Sequence, residues 1–192
     1  MDELTALVQV LELGGVVACP TETWLGLLAD ARNEKAIERV AELKGRPRDM
    51  PIALLLPNPR SLIEVAEAPS AAAQALMEAH WPGPLTILLP VKPGLSPRLS
   101  RDGKVGVRVP GWSPAAELVQ ALGHPVTATS ANRTGEPPLR SVEELSAELA
   151  RGLSAVVPGL APGGAPSTLI DSTTTPMEIV RAGAIKIDPA AL

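Results

Sequence analysis

Short apolar runs alternate with capped, helix-period stretches along nearly the whole chain, and this alternation constrains the fold more than any other feature. Asp2 caps a stretch whose apolar face is Leu4, Leu7, Val8 and Leu11, closed by Gly14-Gly15. Gly15–Pro20 (GVVACP) has the length of a strand, and Thr21-Glu22-Thr23 stands where it stops. Asn33 caps EKAIERVAELK, which carries Ala36, Ile37, Val40, Ala41 and Leu43 on or near one face and ends in Gly45-Arg46-Pro47-Arg48. The same rhythm continues. Strand-like runs cover Ile52–Leu56, Leu85–Val91, Val105–Val109 and Val126–Thr129, with helices expected after Asn58-Pro59, over 70–80 and from Ser113-Pro114 to Leu122. Ser141-Val-Glu-Glu144 reads as a capping box for a helix to about Ala150. Three short strands follow: Ser154–Val157, Thr168–Asp171 and Ile179–Ile187, the last broken at Ala182-Gly183. No repeat or long hydrophilic linker interrupts the pattern, so residues 1–192 read as a single α/β domain: a twisted, mixed β-sheet flanked by helices.

Composition narrows the function. The chain is 45% apolar and 20% charged, enough for a packed core, yet it has three Trp and no Phe or Tyr. Aromatic stacking platforms for single-stranded nucleic acid and any tyrosine-based chemistry are thereby excluded. The net charge of −4 gives no long-range attraction to nucleic acid. One cysteine, Cys19, allows no internal disulfide, and with His80 and His124 it makes a poor zinc set. Cys19 reads as inert core and both histidines as structural. An acidic start without a basic n-region, and no run of 18 apolar residues, lead us to expect a cytoplasmic protein with no membrane partner.

Small polar residues gather where apolar runs end: Thr21-Glu22-Thr23, Ser130-Ala131-Asn132 and Ser167-Thr168. Each alone reads more readily as caps and turns, but ligands of open α/β sheets bind just beyond strand ends, where such loops converge. Charge concentrates in two loops. Lys44, Arg46 and Arg48 lie within five residues, and Lys92, Arg98, Arg101, Lys104 and Arg108 face Asp102 alone. A solvated basic face is the ordinary reading of a charge run. A compact anion such as a nucleotide polyphosphate is the alternative, and Arg108, embedded in an apolar run, demands a fixed partner. There is no phosphate loop, dinucleotide fingerprint or nucleophile elbow. Chemistry here must come from positioning and charge stabilisation.

Seven segments, in order, together resemble the YrdC/TsaC family of threonylcarbamoyl-AMP synthases. They are PTETWLGL (Pro20–Leu27), KGRPRDMPI (Lys44–Ile52), WPGPLTILL (Trp81–Leu89), VGVRVP (Val105–Pro110), SANRTGEPP (Ser130–Pro138), PSTLID (Pro166–Asp171) and IVRAGAI (Ile179–Ile185). The likeness runs from about residue 5 to residue 187 and matches the short bacterial form. It implies a YrdC-like fold whose sheet opens into a large, positively lined concave cavity. It also implies a nucleotidyltransferase that combines ATP, L-threonine and bicarbonate into threonylcarbamoyl-AMP and pyrophosphate. Downstream proteins then transfer the threonylcarbamoyl group to tRNA.

By the same resemblance, Lys44, Arg46, Ser130 and Asn132 match residues on the nucleotide side, with Arg48 and Arg181 joining them. Thr21, Thr23, Arg108 and Ser167 match the threonine side, Arg108 clamping the carboxylate. Threonine's amine, carboxylated by bicarbonate, would attack the α-phosphorus while Lys44, Arg46 and Mg²⁺ neutralise charge. The metal would arrive with ATP, with Glu22 nearby and no dedicated protein site. Three departures stand out. Leu25 occupies the family's Tyr position, SANRTG replaces S-A-N-x-S-G, and Leu54-Leu55-Leu56 stand where relatives commonly place a His in the strand after Lys44–Ile52. Two other readings are a YrdC-like paralogue with a different acceptor and a double-stranded RNA-binding or ribosome-maturation protein. Loop 158–166 (PGLAPGGAP) reads equally as a lid or a linker.

Overall fold

The first four helices begin on side-chain caps that short-range geometry alone can form. In the computed structural model, which describes residues 2–188, Asp2 Oδ1 accepts from Thr5 N at 2.8 Å and Asn33 Oδ1 from Ala36 N at 3.1 Å. Ser70 Oγ and Ser113 Oγ do the same for Ala73 N and Ala116 N, each at 3.2 Å. These start α1 (Glu3–Glu12), α2 (Glu34–Lys44), α3 (Ala71–His80) and α4 (Pro114–Leu122). Gly45 and Gly123, at φ 56° and 76°, close α2 and α4 in the left-handed conformation that a Cβ disfavours. No helix of the described residues is long and apolar enough to cross a membrane. The domain boundaries expected from the sequence, 1 and 189–192, lie outside the described residues.

The strands are β1 (Val17–Pro20), β2 (Leu25–Leu28), β3 (Ala53–Leu55), β4 (Leu85–Pro90), β5 (Ser100–Arg101) and β6 (Lys104–Arg108). They continue with β7 (Val126–Ser130), β8 (Ala155–Val156), β9 (Thr168–Asp171) and β10 (Glu178–Arg181). They form one sheet in the order β10-β9-β4-β6-β3-β7-β2-β1-β8, with β5 paired to β6. Pairs β3–β6, β4–β9 and β1–β8 are parallel and the others antiparallel, which makes the sheet mixed, as expected.

β1 and β2 are buried along their whole length and read as unbroken apolar runs. Alternate residues divide between two cores. Val17, Cys19, Leu28 and Leu55 pack with Leu11 of α1 and Leu118, Val119 and Leu122 of α4. Ala18, Leu25, Leu27 and Leu54 pack on the other face with Ile37 and Val40 of α2 and Met77 of α3. Aliphatic residues do the filling that Phe and Tyr perform in other cores. Cys19 is fully buried there, its thiol pushed up to about 12 by burial.

Several elements differ from the sequence reading. Leu25–Leu28 is a strand that was not expected, because LGLL carries no periodic signal and is a strand by virtue of β1 and β7 on either side. The stretch after Ser141 splits into a 3-10 turn, Val142–Glu144, and α5 (Ala147–Arg151), because Ser146 caps a new start at Leu149 N. The tail strand ends at Arg181, since the chain beyond it bonds to the segment before β9: Ala184 N to Pro166 O at 2.8 Å, and Thr168 Oγ1 to Ile185 O at 2.6 Å. After Asn58-Pro59 the helix is a 3-10 turn, Pro59–Glu64.

Candidate active site

A cavity of about 820 Å³ opens over the sheet, within the size range of small-molecule sites. Thr21, Thr23, Arg46, Arg108, Ser130, Asn132, Ser167 and Arg181 all line it. The polar clusters at separate strand ends thus converge on one space. Gly106 keeps the floor open: a Cβ there would sit 3.3 Å from both Ala53 and Leu88 side chains.

The turn after β1 folds around one hydroxyl. Thr21 Oγ1 donates to Trp24 O at 2.8 Å and accepts from Thr23 N and Trp24 N at 3.1 Å each. It also lies 3.0 Å from Thr23 Oγ1, so both threonine hydroxyls are fixed at the cavity wall. Loop 158–166 is bound to this turn, Gly163 N donating to Thr23 O at 2.7 Å, and to Arg140, whose Nε donates to Ala161 O at 3.1 Å. The loop is a built wall, with Gly164 and Pro166 lining the cavity.

Across the cavity, Lys44 reaches the loop after β7. Its ammonium donates to Ser130 O at 2.5 Å and Asn132 O at 2.7 Å, with Asn132 Oδ1 at 3.4 Å. Ser130 Oγ donates to Asn132 Oδ1, and Asn132 Nδ2 to the carbonyls of Arg133 and Glu136. Lys44 is 2% exposed; burial, then the neighbouring Arg46 charge, lower its pKa to about 8. Lys44, expected on the nucleotide side, is not among the lining residues: its three donors serve the loop that presents Ser130 and Asn132. Arg48 is not brought to the cavity either. Its side chain is 84% exposed, and its Nη2 lies 3.8 Å from Glu38, whose other partner is Arg98.

Arg46, Arg108 and Arg181, like Arg101, line the cavity. Arg46 donates to Met50 O (2.9 Å) and Pro51 O (2.7 Å), with Thr129 Oγ1 at 3.4 Å. Arg181 donates to Ser167 O from Nε and Nη2 (3.1 and 3.0 Å) and to Ser167 Oγ at 3.1 Å. Ser167 Oγ meets Thr86 Oγ1 at 2.9 Å. Burial lowers the pKa of both arginines, and Arg181's charge adds to the effect on Arg46. Among the described residues neither has a carboxylate within ion-pair distance, so both charges remain open to an anion. Arg108 differs: its Nη1 lies 3.2 Å from Glu22 Oε1, with both side chains about nine-tenths buried. Glu22, expected near a metal, instead stands against this arginine and is not among the lining residues.

Thr86, Thr129, Arg101, Asp49 and Glu136 also line the cavity, and the sequence reading did not assign them to the site. Thr86 carried the one available signal, as the sole polar residue in the apolar run Leu85–Leu89. Among the described residues no three His, Cys, Asp or Glu side chains group to hold a metal. Two carboxylates, Asp49 and Glu136, are among the lining residues.

The Sua5/YciO/YrdC family model, described as "Telomere recombination", matches residues 9–183. A threonylcarbamoyl-AMP synthase of Photobacterium profundum is 36% identical over 163 residues, covering 83% of this chain and 88% of its own. The structure of Pyrococcus abyssi Sua5 complexed with L-threonine superposes with a TM-score of 0.86 at 31% identity, over 94% of this chain and 54% of that one. Escherichia coli YciO gives a TM-score of 0.85 at 26% identity, covering 98% and 94%. The chain thus spans about half of the longer archaeal relative and nearly all of the shorter ones.

Proposed function

The chain belongs to the Sua5/YciO/YrdC family, and from that premise we propose that it is a threonylcarbamoyl-AMP synthase acting in the cytoplasm. Its substrates are ATP, L-threonine and bicarbonate, and its products threonylcarbamoyl-AMP and pyrophosphate. Downstream transfer proteins carry the threonylcarbamoyl group to tRNA. One observation carries the reading: Arg46 and Arg181, which among the described residues have no carboxylate within ion-pair distance, share a cavity with a third arginine, Arg108, beside fixed hydroxyls.

In this mechanism Arg108 takes the threonine carboxylate, and Thr21, Thr23 and Ser167 border the bound amino acid. The freed amine attacks the carbon of bicarbonate, water leaves, and an N-carboxylate forms. That carboxylate attacks the α-phosphorus of ATP. The bond from the α-phosphorus to the bridging oxygen breaks, and its electrons leave on pyrophosphate. Arg46 and Arg181 meet the charge that develops there, and their preorganised hydrogen bonds keep reorganisation small. Ser130 and Asn132, set by Lys44 from behind, border the phosphates. A Mg²⁺ ion carried by ATP, with Asp49 and Glu136 in reach of its waters, would add further neutralisation of the leaving phosphates.

Mass spectrometry of a reaction containing ATP, threonine and bicarbonate tests this reading. Threonylcarbamoyl-AMP is expected, with pyrophosphate release dependent on both threonine and bicarbonate. Release that continues without either one overturns it.

A further inference from the structure

Between the two cavity-lining threonines, Glu22 stands inside the wall. Both of its carboxylate oxygens are buried and neither accepts a hydrogen bond, and Arg108 Nε is likewise buried without a partner. Gly111 closes over the pair, where a Cβ would lie 3.3 Å from Glu22 Cγ. The two side chains are close, at 3.2 Å, but what joins them is charge without a well-formed hydrogen bond. A buried carboxylate without donors is costly, and only the arginine's charge offsets it. The relation is mutual: Glu22 neutralises Arg108 from the side away from the cavity.

The cavity's positive charge is therefore uneven. Among the described residues Arg46 and Arg181 have no carboxylate within ion-pair distance, while Arg108 carries its own counter-ion. Arg181 is near enough to Arg108 for the two charges to repel. Without Glu22 the three arginines would form one continuous site for a polyanion, and phosphate would compete for the amino-acid end. With it, Arg108 still offers a fork of donors, which suffices for one carboxylate, but contributes little net field to attract several charges.

We propose that Glu22 is a specificity-determining positioning residue that reserves Arg108 for the amino acid's single carboxylate and confines nucleotide and pyrophosphate charge to Arg46 and Arg181. This rests on the synthase reading above and adds a division of labour within its cavity.

Calorimetric titration of the full chain with L-threonine and inorganic pyrophosphate tests it, using wild type, Glu22→Gln and Glu22→Asp. In wild type, saturating pyrophosphate should leave the threonine Kd within about threefold. In Glu22→Gln, pyrophosphate should bind at least about tenfold tighter and displace threonine competitively, while Glu22→Asp, which keeps the charge, behaves as wild type. Competitive displacement from wild type, or a folded Glu22→Gln with the wild-type pattern, overturns the proposal. If Glu22→Gln does not fold, the wild-type competition decides alone: independent binding upholds it and displacement overturns it. A wild-type chain that binds no threonine at all overturns the synthase reading instead.

Discussion

The Lys44 ammonium lies 2.7 Å from the carbonyl oxygen of Asn132, 88 residues away, and bonds Ser130 O from the same buried position. It ties the last turn of α2 to the loop after β7. Replacing Lys44 with Met keeps the chain length but leaves buried acceptors unpaired, each costing about 1–3 kcal/mol. We expect Lys44→Met to lose about 3 kcal/mol in urea unfolding and at least about tenfold in ATP affinity. Unchanged stability would show that the ammonium does not hold the loop.

The same lysine sets a pH dependence. Burial, with Arg46 adding to it, brings its pKa to about 8 from the ordinary 10.5. Below pH 8 folded and unfolded chains both hold the proton, and this group adds no pH dependence there. Between the two values the folded chain has released a proton that the unfolded chain keeps, so this group's contribution rises with pH. The stability difference between wild type and Lys44→Met should grow by on the order of 2 kcal/mol from about pH 7.5 to about pH 9.5. Parallel pH profiles for the two proteins would contradict this.

Arg46→Ala and Arg108→Ala should separate the two ends of the cavity. A charge-assisted hydrogen bond is worth about 1.5–3 kcal/mol, or about tenfold to a hundredfold in affinity. Calorimetry should show ATP weakened by that factor in Arg46→Ala with threonine little changed, and the reverse in Arg108→Ala. Arg108→Ala should also lose about 3–5 kcal/mol of stability, because Glu22 is left buried and unpaired. Equal effects on both ligands would mean that the ends are assigned wrongly.

Arg48 supplies the contrasting case. With its side chain 84% exposed and its Glu38 contact at 3.8 Å, Arg48→Ala should leave ATP affinity and turnover within about twofold. A tenfold loss in steady-state kinetics would bring this side chain back to the nucleotide.

Residue order was enough for whatever a few neighbouring residues can arrange among themselves. The caps at Asp2, Asn33 and Ser113 are bonds across three residues, and apolar runs such as Leu85–Pro90 announce a strand buried on both faces. The polar clusters at Thr21–Thr23, Ser130–Asn132 and Ser167 were equally plain, as were the seven segments shared with the family. Leu25–Leu28 was not, because four residues become a strand only when others flank them, and the stretch after Arg181 was misread because its hydrogen bonds go to Pro166 and Thr168.

The charged residues make the division sharpest. That Lys44, Arg46 and Arg48 crowd one loop was visible at once, but their partners were not. One meets carbonyls 86 and 88 residues away, one turns into the cavity, and one points into solvent. Glu22 was within reach of a metal on paper and is held by Arg108 in the folded chain. A charge's role depends on its burial and on which opposite charge or dipole lies within a few ångströms, and both are set by packing between elements far apart in the chain.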